Sequence, residues 1–199
     1  MTVFRELSQH ILDIFENGAH AGASLTHIDI EEDLQRDRLS ITIQDNGRGM
    51  DAEMLRHITD PWVTTRTTRK VGLGIPFLKQ TAEMCGGEFS IRSTPGVGTL
   101  IRATFQHSNI DRPPLGDLAG TLLCMIVGYP DVDIVYRHRV AEREFTLDTR
   151  EIRAILGEDV PLSDPDVLGF LRETLETGDF TTEDTEGRTA LNRGRPKSG

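Results

Sequence analysis

The chain has 199 residues, 37% of them apolar and 27% charged, which suits one globular domain, or one plus an appendage, with a real core. No run approaches the ~18 consecutive apolar residues of a membrane span, and Met-Thr-Val-Phe-Arg-Glu at the start carries no secretory h-region. A formal net charge of -10 argues against a general nucleic-acid binder, and Cys85 and Cys124 support neither a disulfide framework nor a zinc site, so a reduced, cytoplasmic, acidic protein is expected.

Residues 4–21 predict an amphipathic helix. Leu7, Ile11, Ile14 and Gly18 recur at helical spacing, Leu12 and Phe15 widen the apolar stripe, and His10, Asp13, Asn17 and His20 fall together on another face. Residues 26–32 and 39–45 alternate apolar and polar side chains and predict strands, the second ending in Asp45-Asn46-Gly47-Arg48-Gly49. A short helix near 51–59, the polar run Thr64–Lys70 and a helix over about 75–85 come next. Gly86-Gly87 breaks that helix, and strands near 88–93 and 99–106 flank the turn Pro95-Gly96. Arg112-Pro113-Pro114 marks a border. Beyond it the pattern predicts a helix (115–127), a hairpin (132–138 and 143–148) and two helices (149–156 and 165–176). The polar end from Gly178 reads as a disordered tail.

Three places carry potential chemistry. Asp13 and Asn17, four residues apart on a helix, put a carboxylate beside a carboxamide whose oxygen can ligate Mg²⁺; the same pair also suits a solvated helix face. Asp45, at a strand end between glycines, can accept from an exocyclic amine while bare backbone lies against a flat ring, although Asp-Asn-Gly alone is a good turn sequence. Gly72-Leu73-Gly74 opens a helix after Arg66, Arg69 and Lys70, so backbone N–H groups there can approach phosphate oxygens. No Gly-Lys-Ser/Thr follows, so it is not a Walker loop.

Taken together and in order, these motifs resemble the GHKL ATP-binding family of histidine kinases, gyrase B, heat-shock chaperones and MutL. Glu16–Ala23 resembles the N box, Asp45–Met50 the first glycine box, Asp60–Thr65 the kinase F box and Val71–Ile75 the second glycine box, with Gly96-Val97-Gly98-Thr99 closing the series. The resemblance covers about residues 4–107 and is closest to histidine-kinase catalytic domains. It implies an α+β fold: a two-layer sandwich of the Bergerat type, with a mixed sheet covered by helices on one face. The expected organisation is residues 1–107 as the ATP-binding domain, 108–177 as a small α+β extension and 178–199 as the tail.

The resemblance also implies roles. Asn17 would coordinate the Mg²⁺ of Mg-ATP. Asp45 would accept the adenine amine with Thr99 supporting it, and Gly47 and Gly49 would let the backbone approach the base. Thr65, Arg66 and Lys70 belong to a short lid, and Gly72, Leu73 and Gly74 would serve the phosphates. Asp13 stands where hydrolysing members carry Glu and is the candidate base; His20 stands where many kinases carry Lys. The N-box helix begins within a few residues of Met1, so no phosphoacceptor helix is expected before it. The implied function is a stand-alone ATP-dependent phosphotransferase acting on a separate protein, a slow ATPase, or a nucleotide-sensing module. A looser resemblance to proteins associated with iron hydrogenases links the unidentified protein partner to hydrogenase or redox proteins. No nucleic-acid or membrane partner is expected.

Overall fold

The computed structural model describes residues 6–58, 74–157 and 159–178. The F box, the Thr64–Lys70 run, Gly72, Leu73 and the tail beyond Gly178 lie outside the described residues.

The elements follow the hydrophobic periodicity closely. Helix α1 (Leu7–His20) is followed by strands β1 (Leu25–Asp33) and β2 (Arg38–Asp45), then α2 (Ala52–Ile58) and α3 (Gly74–Met84). Strands β3 (Phe89–Thr94) and β4 (Gly98–Gln106) lead to α4 (Leu118–Gly128), the hairpin β5 (Asp133–Val140) and β6 (Arg143–Asp148), and helices α5 (Thr149–Leu156) and α6 (Pro165–Gly178). Helix α4 begins three residues later than expected because Asp117 caps it, its Oδ1 accepting from Gly120 N–H at 2.7 Å.

The six strands form one mixed sheet in the order β3-β4-β2-β1-β5-β6. All neighbours are antiparallel except β1 and β5, which run parallel. The sheet therefore continues across residue 107, and β5 is the direct neighbour of the first strand. Ile28, Ile30, Leu39, Ile41, Ile43, Ile101, Phe105, Ile134 and Tyr136 alternate onto the inner face, beneath a helix layer in which α1 packs on α3 and α4, and α4 on α6. Burying each such side chain is worth about 1.5–3 kcal/mol. The outer face is polar. There Arg137 pairs with Asp29 and Arg139 with Glu31, both across β1–β5 register partners. These exposed pairs add little energy but fix register.

One expectation is corrected. His10 does not lie on a solvated face with Asp13; it is 1% exposed, because α3 and α4 flank α1 on two sides. His107, just after β4, is largely buried and His138 of β5 wholly so. Both turn onto buried Glu32 of β1, whose carboxylate meets His107 Nε2 at 2.6 Å and His138 Nε2 at 2.9 Å. Burial alone would raise the Glu32 pKa, but the hydrogen bonds and charges of the two imidazoles hold it down at about 2. A polar residue at an inward position of β1 was the available sign.

Candidate functional site

A cavity of about 110 Å³ opens where the C-terminal half of α1, the end of β2 and the start of β4 converge. Ile14, Met50, Ile58, Ile75 and Ile101 supply apolar walls, and Asn17, Asp45 and Thr99 supply polar groups. That space is below the ~300–1,000 Å³ of a whole ligand site and suits one flat ring. A larger groove of about 550 Å³ lies at the other end of β2, between Arg36, Asp37, Arg38, Glu88 and Arg102. It is lined by Gly86 and Gly87 of the motif series but by none of the candidate nucleotide-binding residues.

Asp45 is the central polar group. It is the last residue of β2 and the register partner of Thr99 on β4. Gly47 N–H donates to Asp45 Oδ1 at 2.9 Å, fixing the carboxylate's orientation. Burial raises its pKa, against the lowering effect of the Gly47 and Thr99 backbone N–H groups. Among the described residues it has no cationic partner. A half-buried carboxylate so placed can accept a further hydrogen bond from a ligand donor.

The glycines around it are required by space. A Cβ on Gly18 would lie 3.0 Å from the Asp45 Cβ, and one on Gly47 would lie 3.0 Å from its Oδ1. Gly49 has φ +65°, and a Cβ there would fall 2.0 Å from the Thr94 carbonyl oxygen. Thr99 Oγ1 sits 2.9 Å from Ser93 Oγ, which also accepts from Met50 N–H at 2.8 Å. Ser93 thus links the base of the cavity to the segment carrying Met50. Sequence reasoning passed over Ser93, although Phe89, Ile91 and Ser93 share the inward face of β3.

Asn17 lines the cavity, and its buried Nδ2 meets no acceptor among the described residues. An amide left unpaired in a pocket is available to a ligand, and the oxygen and nitrogen exchange by a half-turn. The donor set fits Mg²⁺, which takes one or two protein oxygens and completes its shell with phosphates and waters.

Asp13 does not line the cavity. It lies one turn before Asn17, against the first residue of α3: a Cβ on Gly74 would lie 2.7 Å from the Asp13 Cβ. Burial and then the charge of Glu16 raise its pKa, the direction a general base requires. His10, a further turn back, is pushed down to about 4 by burial, against the raising effect of a hydrogen bond with the Gly74 backbone. The site therefore gathers Asn17, Asp45, Gly49 and Thr99 around one cavity, with Gly47 behind Asp45. Asp13 and Gly74 form an adjacent pair.

Residues 2–109 match the model of the histidine kinase-, DNA gyrase B- and HSP90-like ATPases. The chain belongs to this family. Similar curated proteins include the tetrathionate sensor histidine kinase TtrS of Salmonella typhimurium, 34% identical over 58% of this chain and 19% of that protein. The sensor histidine kinase ZraS of the same species is 30% identical over 47% of this chain and 20% of its own. The chain thus spans about a fifth of the length of these kinases. In structure it is similar to the N-terminal domain of a DNA repair protein, with a TM-score of 0.54 at 13% identity over 93% of this chain and 60% of that one. The family binds ATP. No helix among the described residues is long and apolar enough to cross a membrane.

Proposed function

We propose that the chain binds Mg-ATP with the adenine amine on Asp45, and acts as a histidine-kinase-type catalytic domain that passes a phosphoryl group to a separate protein in the cytoplasm. The observation that carries this reading is the Asp45 carboxylate, held by Gly47 N–H and facing a cavity with isoleucine walls. Adenine presents a donor there; guanine presents a carbonyl.

Asn17 would hold the Mg²⁺ through its amide oxygen. The metal, when bound, offsets the charge of the phosphates. This chain's own contributions are orientation by Asp45 and Thr99, close backbone approach at Gly47, Gly49 and Gly74, and phosphate contacts from Thr65, Arg66, Lys70, Gly72 and Leu73. The partner would supply the acceptor; the looser resemblance points to hydrogenase or redox proteins.

Slow hydrolysis is the second reading, favoured by the raised pKa of Asp13. Incubating the protein with γ-labelled ATP, with and without protein that co-purifies with it, tests both. Label on a second protein supports transfer, whereas free phosphate that disappears in Asp13→Asn supports hydrolysis. Neither signal, with ATP bound, leaves a nucleotide-sensing module.

A further inference from the structure

The family match ends at residue 109, yet the N-box helix is braced from beyond it. Tyr129 follows the last turn of α4. Its ring meets Phe15 edge-on, with centroids 5.5 Å apart and planes at 80°, and meets His20 likewise at 5.9 Å and 86°. Burial and then the nearby charge of Glu16 raise the pKa of its hydroxyl. Phe15, Glu16 and His20 bracket Asn17 on α1, and His20 and Asn17 both line the cavity. Tyr129 is not among the lining residues.

The tyrosine is itself held at both ends. Its N–H donates to the Met125 carbonyl at 2.9 Å, and its carbonyl accepts from Val132 N–H at 3.0 Å. Just beyond, Asp133 N–H donates to the Ser24 carbonyl at 2.9 Å. Ser24 N–H and Oγ are in turn engaged by the Asn46 side chain, at 2.9 and 3.0 Å, next to Asp45. Residues 129–133 therefore reach the cavity from two directions, through His20 of its wall and, by way of Ser24 and Asn46, through the residue next to Asp45.

We infer that Tyr129 is a positioning residue of the nucleotide pocket, fixing the wall of His20 and Asn17 from outside the family-matched segment. His20 ends α1 and is exposed, so without the ring it samples several rotamers, and a nucleotide must order it on binding. The inference rests on reading the cavity as an adenine-nucleotide site. Because coupling is reciprocal, whatever displaces residues 129–133 changes nucleotide affinity, and bound nucleotide resists that displacement.

Calorimetry with Mg-ATP on the full chain tests it, using Tyr129→Leu, His20→Ala, the double variant and Tyr129→Phe. Tyr129→Leu and His20→Ala should each weaken binding about three- to tenfold, and Tyr129→Phe, which keeps the ring, by less than about twofold. The double variant should bind no worse than the weaker single one, because Tyr129 acts through His20. Additive losses, or wild-type affinity in Tyr129→Leu, would overturn the inference. Should Tyr129→Leu fail to fold, ring resonances of Tyr129 in the wild type decide. They should shift on adding Mg-ATP, and silent resonances would overturn it equally. Wild type that does not bind Mg-ATP refutes the nucleotide reading itself, a failure seen before any variant is made.

Discussion

Asp45 and Thr99 face each other across β2 and β4, and Gly98 beside Thr99 comes so close that a Cβ on it would lie 2.0 Å from the Asp45 carbonyl oxygen. The glycine, at φ +133°, is what lets the two strands bring both polar side chains to one cavity. Gly98→Ala should lower stability by about 1–3 kcal/mol or more and displace Asp45. Thermal unfolding and ATP titration check this. A variant with unchanged midpoint and affinity would mean the close approach is unimportant.

His10 makes the fold sensitive to mild acid. Its folded pKa of about 4 lies below the ordinary 6.5, so the unfolded chain binds the proton first. Its contribution is complete above about pH 6.5 and is lost as pH falls toward 4, by at most about 3 kcal/mol. His10→Gln, neutral and of similar size, should flatten the stability profile in that window. An unchanged slope, measured by urea unfolding from pH 7 to 4, would assign the effect elsewhere.

Glu32 acts in a lower window. Held at about 2 against an ordinary 4.5, it stabilises above about pH 4.5, and this is lost as pH falls toward 2. Glu32→Gln leaves His107 and His138 without their carboxylate and should cost about 2–4 kcal/mol at pH 7. The difference from wild type should shrink below pH 4.5. A constant difference down to pH 3 would show that charge is not what Glu32 contributes.

Periodicity located the described elements because the apolar residues of α1, β1, β2 and β4 each repeat with one clear period. Asn17, Asp45 and Thr99, which motif order groups, line one cavity because they sit at element ends, where spacing converts into place. Contacts between distant segments were not legible. Nothing local in the sequence pairs Glu32 with His107 and His138, sets β5 beside β1, or brings Tyr129 to His20, since each depends on sheet order. His10 misled because its helical phase matches that of Asp13 and Asn17, while α3 covers it.

The sheet order makes a further prediction. A chain cut after residue 109 loses β5, the parallel neighbour of β1 along its length, and also α4, which packs on α1. That exposes a central strand edge and part of the core around Leu7 and Ile30. The fragment should fail to unfold cooperatively. A sharp unfolding transition with ATP affinity intact would show that residues 1–109 are self-sufficient.

The central claim is that Asp45 reads adenine, and titration calorimetry of wild type and Asp45→Asn with Mg-ATP and Mg-GTP tests it most directly. A charge-assisted hydrogen bond is worth about 1.5–3 kcal/mol, so the substitution should weaken ATP about ten- to a hundredfold while circular dichroism stays unchanged. GTP should bind wild type poorly, because its ring sets a carbonyl against the carboxylate. Equal ATP affinity in wild type and a folded Asp45→Asn, or GTP binding as tightly as ATP, would contradict the account.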